Sequence, residues 1–131
     1  MANILIVDDN ETNRMVLKDL VITLGHTPVL AEDGLSALVK TEKAIPDLIL
    51  LDILMPRMDG YEVLLHLKKD ESFRDIPVIM ISAINEEDDV MRCIKRGAND
   101  YMIKPFDAAH LKAKIGTCLK KKRLHNKRDE R

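Results

Sequence analysis

The sequence predicts an α/β domain: a single, doubly wound, five-stranded parallel sheet of (βα)5 organisation with helices on both faces. Three observations carry this. Five short apolar runs open near residues 3, 27, 47, 77 and 100, and each is followed by a stretch with helical spacing. Most of the runs are continuous rather than alternating, as expected of strands covered on both faces. Strict strand–helix alternation implies parallel strands joined by right-handed crossovers.

The first strand spans residues 3 to 7 and ends in Asp8-Asp9. Asn10 can cap a helix whose inner face is Val16, Leu17, Leu20, Val21 and Leu24, and Gly25 stops it. The second strand, 27 to 31, contains Pro28, which cannot donate to a ladder and so points to a sheet edge or a strand start. Asp33-Gly34 turns the chain into a helix over about residues 35 to 44, with Leu38 and Thr41 facing inward and Pro46 ending it. The third strand is 47 to 51, an unbroken run closed by the carboxylate of Asp52. Met55-Pro56 and Met58-Asp59-Gly60 then turn the chain.

Val63, Leu64 and Leu67 mark a third helix, with Lys68-Lys69-Asp70-Glu71 as its solvated end. Val78 to Ile81 form the fourth strand, followed by Ser82-Ala83. Glu86, Glu87, Asp88 and Asp89 place acids on the first turn of a fourth helix, where the macrodipole favours them. Its inner face is Val90, Cys93 or Met91, and Ile94, and Gly97 closes it. The fifth strand, 100 to 103, leads into Lys104-Pro105-Phe106. Asp107 can cap a last helix with Leu111, Ile115 and Cys118 or Leu119 inside.

A chain of 131 residues with 46% apolar and 33% charged residues suits one globular domain. With 3% aromatics and no Trp, the core must be aliphatic. Cys93 and Cys118 fall inside helical patterns and fit reduced thiols of a cytosolic protein. No signal peptide or membrane-length apolar run is seen. Residues 120–131 hold seven bases and two acids. They read as a basic tail or the start of a linker rather than a nucleic-acid site, leaving 1–119 as the domain.

In a parallel sheet all strands point one way, so the residues at their tips gather at one edge, where ligands of open α/β sheets bind. Here these are Asp8, Asp9, Asp52, Ser82 and Lys104. Three ionised carboxylates at close range repel one another, and a divalent cation removes the conflict. Oxygen ligands with room for water and phosphate suit Mg2+. Lys104 can stabilise anionic oxygens beyond its reach, and Ser82 can donate a hydrogen bond. Asp52 is then a candidate nucleophile toward a phosphoryl group. The chain lacks a G-x-x-x-x-G-K-[ST] or G-x-G-x-x-G motif, and its four histidines show no zinc spacing.

Taken together, Asp8-Asp9, Pro46-Asp47 into Asp52, Met55-Pro56 with Asp59-Gly60, Ser82-Ala83 and Lys104-Pro105-Phe106 resemble the receiver domain of two-component response regulators. The match runs over about residues 3 to 119. The resemblance implies the flavodoxin-like strand order 2-1-3-4-5, with Asp52 as phosphoacceptor. It implies Asp9 as a direct Mg2+ ligand, Asp8 as a ligand through water and the backbone carbonyl of Leu54 as a further ligand. Ser82 would be the switch hydroxyl, Tyr101 the aromatic residue that swings inward with it, and Lys104-Pro105 a cis peptide bond. Leu54 and Ile84 are apolar where polar side chains can orient a hydrolytic water, which implies a long-lived phosphoryl group.

The function implied is a cytoplasmic phosphorylation switch, not a multiple-turnover enzyme. A histidine kinase or phosphotransfer protein would donate to Asp52. An output protein or a linked effector would read the face formed by the fourth helix, fifth strand and fifth helix. The chain would be a stand-alone receiver or the N-terminal module of a longer regulator with a cyclase, phosphatase or DNA-binding effector after residue 131. A Mg2+-dependent phosphatase with an aspartyl nucleophile is the competing enzyme class. It would call for a second acid two residues after Asp52, where Leu54 stands.

Overall fold

A computed structural model of the chain describes residues 1–84 and 87–129, with side chains described up to Lys122. Glu86 and the basic side chains beyond Lys122 therefore lie outside the described residues. The elements alternate in chain order: β1 (Asn3–Val7), α1 (Glu11–Thr23), β2 (Thr27–Ala31), α2 (Gly34–Lys43), β3 (Leu48–Asp52), α3 (Gly60–Lys69), β4 (Val78–Ser82), α4 (Glu87–Lys95), β5 (Asp100–Ile103) and α5 (Ala108–Asp129). The five strands form one parallel sheet in the order β2-β1-β3-β4-β5. Pro28 accordingly lies on an edge strand.

Period-two alternation splits each inner strand between two cores. Leu5, Val7, Ile49, Leu51, Val78 and Met80 pack under α2, α3 and α4. Ile4, Ile6, Leu48, Leu50, Ile79 and Ile81 pack under α1 and α5, against Leu17, Val21, Leu111, Ile115 and Cys118. Every residue of β3 and β4 is buried, which is why these runs are continuous in sequence.

The helix starts follow from their caps. The side chains of Asn10, Asp33 and Asp59 accept from the backbone N–H three residues on, and Asp107 accepts from Ala109. Gly25 and Gly97 adopt φ of 86° and 105°, as helix-ending glycines do.

Several sequence expectations are corrected. β3 begins at Leu48 and includes Asp52, because the ladder to β4 continues to the pair Asp52–Ile81. Asp47 instead ties two ends together. Its carboxylate accepts from the Asn3 N–H at 2.8 Å and pairs with Lys122 of α5 at 3.0 Å. Val16 is exposed, since Leu17 and Val21 suffice to seat α1. On α4 only Cys93 is fully buried, with Val90 half-buried and Met91 and Ile94 exposed. In α2 the buried positions are Gly34, Ala37 and Thr41, with Leu38 half-buried.

Lys68 is not a solvated helix end. Its ammonium donates to the carbonyls of Arg74 and Ile76 at 2.9 Å, tying the end of α3 to the connection that leads into β4. Burial lowers its pKa.

Candidate functional site

The site lies where β1, β3, β4 and β5 end. Asp8 and Asp9 follow β1, Asp52 ends β3, Ser82 ends the neighbouring β4, and Lys104 follows β5. The chain order alone scatters these residues over nearly a hundred positions. The β1–β3, β3–β4 and β4–β5 ladders bring them to one rim.

Asp8 is almost fully buried and held from two sides. The Asn10 N–H donates to its Oδ1 at 2.9 Å, and the Lys104 ammonium lies 3.0 Å from its Oδ2. The Arg14 guanidinium donates to the Asp8 backbone carbonyl. Asp52 is 5% exposed, and its Oδ1 stands 3.6 Å from the same ammonium. Among the described residues, Asp8, Asp9 and Asp52 each offer an oxygen within 4.8 Å of the others. Asp9 is the exposed member, on the solvent side of the cluster.

The electrostatics fit a cation. Burial pushes the Asp52 carboxyl up to about 6, and the charges of Asp8 and Asp9 push the same way. Lys104 and the Ile53 N–H act against them. One ammonium thus leaves three carboxylates under-neutralised. An all-oxygen donor set with one open side matches a hard divalent ion such as Mg2+ rather than a soft metal.

Ser82 is fully buried and accepts from the Ile84 N–H at 3.3 Å. Tyr101 is 8% exposed, and its hydroxyl donates to the Ile84 carbonyl at 2.7 Å. Ser82, the start of the β4–α4 connection and Tyr101 are therefore joined by hydrogen bonds through one residue. Lys104-Pro105 is cis. Leu54 lies in the loop after Asp52 with its side chain 56% exposed.

Gly60 matters in a way that a turn signal does not reveal. A Cβ there would meet the Asp52 carbonyl oxygen at 2.3 Å and the Ile53 Cα at 2.7 Å, both backbone. Its N–H donates to the Ile53 carbonyl. The loop after Asp52 is thereby folded back onto the strand that carries it. The sequence hint was the pair Asp59-Gly60, a helix cap followed by the one residue without a Cβ. Arg14 gave no hint, because nothing in its spacing ties it to Asp8.

Comparison with known proteins gives a consistent picture. The family profile described as the response regulator receiver domain matches residues 4–116. The "Probable transcriptional regulator ycf27" of Guillardia theta is 37% identical over 118 residues, which is 90% of this chain and 45% of that protein. The "Response regulator PleD" of Caulobacter vibrioides is 39% identical over 114 residues, covering 87% of this chain and 25% of its own length. The solved structure of the Vibrio cholerae chemotaxis protein CheY4 superposes with a TM-score of 0.85 at 27% identity, over 90% of this chain and 98% of that one. The chain thus spans less than half the length of these two curated relatives.

Proposed function

The chain belongs to the response regulator receiver domain family of two-component signalling, and on that premise we propose that Asp52 is its phosphoacceptor. The donor is a phosphohistidine on a histidine kinase or phosphotransfer protein. A carboxylate oxygen of Asp52 attacks phosphorus, the N–P bond breaks, and the imidazole leaves. The observation that carries this reading is the Lys104 ammonium standing between Asp8 and Asp52, 3.0 and 3.6 Å away, beside a cluster of three carboxylates.

Asp9 and Asp52 would hold Mg2+ directly, with Asp8 acting through water and the Leu54 carbonyl as a further ligand. When bound, the ion supplies neutralisation of charge on the phosphoryl oxygens. Lys104 orients toward an oxygen on the opposite side. The buried Ser82 hydroxyl donates to a third and draws the β4–α4 connection toward Asp52, with Tyr101 following through its bond to Ile84. The new charge favours this conformer, a population shift driven by contacts made in one state only. The domain assists its own phosphorylation and turns over no external substrate.

The output face is that of α4, β5 and α5, where Met91, Ile94 and Ile103 are exposed. The reader is a protein partner or a covalently linked effector in the cytoplasm. Residues 1–119 act as the receiver and 120–131 as a basic tail or the start of a linker. Both arrangements have precedent: the chain spans 45% and 25% of two longer relatives and matches 98% of CheY4. A phosphatase acting on external phosphomonoesters is disfavoured by Leu54, which stands where such an enzyme needs an acid.

The test is phosphate uptake from acetyl phosphate with Mg2+ present. Wild type takes up one phosphoryl group and Asp52→Asn takes up none. Phosphate retained by that variant, or sustained turnover of a phosphomonoester, overturns the reading.

A further inference from the structure

On the opposite rim, a cleft of about 250 Å³ is lined by Lys68, Arg74, Lys121 and Lys122. Lys122 there is paired with Asp47 and Lys68 donates to two backbone carbonyls, so two of the cleft's four bases already have partners within the chain. A more specific device lies between α3 and α4, centred on Tyr61.

The Tyr61 hydroxyl donates to Asp89 Oδ1 at 3.3 Å, in the first turn of α4. The guanidinium of Arg92, one turn on, stacks over the Tyr61 ring at 4.4 Å from its centroid, and that of Arg96 lies at 5.8 Å. One side chain of α3 thus grips α4 and the turn that ends it, by a hydrogen bond and by ring–cation attraction. Burial raises the Tyr61 phenol, with Cys93 and Asp89 adding to it, up to about 12. The hydroxyl therefore stays protonated and remains a donor.

Tyr61 is also the residue directly after Gly60, whose backbone is pressed against Asp52 and Ile53. Gly60 and Tyr61, which link the backbone of Asp52 to α4, share no residue with the hydrogen-bonded set of Ser82, Ile84 and Tyr101. In this structure both are engaged together, with Tyr101 turned inward.

We propose that Tyr61 is a positioning residue for the switch, stabilising the placement of α4 that accompanies an inward Tyr101. This rests on the reading of Asp52 as phosphoacceptor. A contact made in one conformer and lost in another favours the first by its differential strength. Any ligand at Asp52 that selects the inward conformer therefore binds more tightly when Tyr61 is present.

The experiment compares wild type, Tyr61→Phe and Tyr61→Leu. It measures Mg2+ affinity, affinity for beryllofluoride in the presence of Mg2+, and amide hydrogen exchange over residues 87–95. Beryllofluoride is a tetrahedral phosphoryl mimic that binds a carboxylate. The expected result for Tyr61→Leu is unchanged Mg2+ affinity, beryllofluoride affinity weakened by about fivefold, and faster exchange in α4. Tyr61→Phe, which keeps the ring under Arg92, recovers most of both losses. A purely structural role would not separate beryllofluoride from Mg2+ binding. Unchanged α4 exchange in Tyr61→Leu, or unchanged or tighter beryllofluoride binding, overturns the proposal. A wild-type protein that binds Mg2+ but takes no beryllofluoride overturns the reading of Asp52 instead, and the exchange comparison then decides by itself whether Tyr61 holds α4.

Discussion

The Lys104 ammonium lies 3.0 Å from Asp8 Oδ2, closer than it stands to the proposed acceptor, Asp52. Lys104 therefore has two effects at this rim. It neutralises a nearly fully buried carboxylate, and it competes for that carboxylate with any incoming cation. Lys104→Met should destabilise the Mg2+-free protein by about 2 kcal/mol, because Asp8 keeps its bond from the Asn10 N–H but is left buried without a counter-charge. The same variant should bind Mg2+ more tightly while accepting phosphate from acetyl phosphate at least roughly tenfold more slowly. Urea unfolding, calorimetric titration and phosphate uptake measure the three effects. A variant that loses Mg2+ binding would contradict the competition.

Asp52 sets a pH dependence of unusual sign. Its carboxyl titrates near 6 in the folded protein against 3.8 without perturbation, first from burial and then from Asp8. Between those values the folded state holds a proton that the unfolded chain has released. Stability of the Mg2+-free protein therefore falls as pH rises from about 4 to 6 and stays lower above. Asp52→Asn lacks this penalty. It should be more stable than wild type by about 1 kcal/mol at neutral pH without Mg2+, with the gap closing toward pH 4. Saturating Mg2+ should erase or reverse the gap, since only the wild type keeps the full ligand set. Chemical denaturation across pH, with and without chelator, is the measurement.

Two glycines should respond in opposite directions. Gly60→Ala forces a methyl into the Asp52 carbonyl at 2.3 Å, with backbone on both sides and nothing flexible to yield. It should cost about 2 kcal/mol and weaken Mg2+ binding, because the β3–α3 loop must lift away from Asp52. Gly116 is exposed within α5 and has nothing within 4 Å of where a Cβ would stand. Gly116→Ala should stabilise by about 0.5–1 kcal/mol and leave the site untouched. Thermal unfolding with Mg2+ titration separates the two.

The phosphorylated form should be long-lived. Leu54 and Ile84, two residues past Asp52 and Ser82, offer no polar group to orient a water at the acyl phosphate. Decay of the phosphoprotein with Mg2+ present should take minutes or longer. Placing Asn at 54 and Glu at 84 should accelerate it. Loss within seconds, or no change on substitution, would count against this.

Much of the fold was legible because parallel strands announce themselves. The unbroken runs Ile4–Val7, Leu48–Leu51 and Val78–Ile81 follow from burial on both faces, and the caps Asn10, Asp33, Asp59 and Asp107 are local chemistry. Strand direction puts Asp8, Asp9, Asp52 and Lys104 on one edge, but their contact also needs the order β1-β3-β4-β5, which only the family resemblance supplied. Helix faces were less legible. Val16, Met91 and Ile94 have core spacing yet are exposed, because how much of a helix is covered depends on neighbours distant in sequence. The inward turn of Lys68 and the clamp on Tyr61 were hidden for the same reason. Each depends on a partner six or more residues away that no periodicity marks.

The strand order also divides the molecule along a seam. β1 and β2 lie on one side, β3 to β5 on the other, and the sheet crosses between them only where Ile4–Val7 pair with Leu48–Leu51. The chain passes across once, through exposed residues 44 and 45. Cleavage there would yield two fragments, one bearing Asp8 and Asp9, the other Asp52, Ser82 and Lys104. Neither piece could assemble the carboxylate cluster by itself. Reassociation of the halves would restore it, so cation uptake would serve as a direct gauge of complementation.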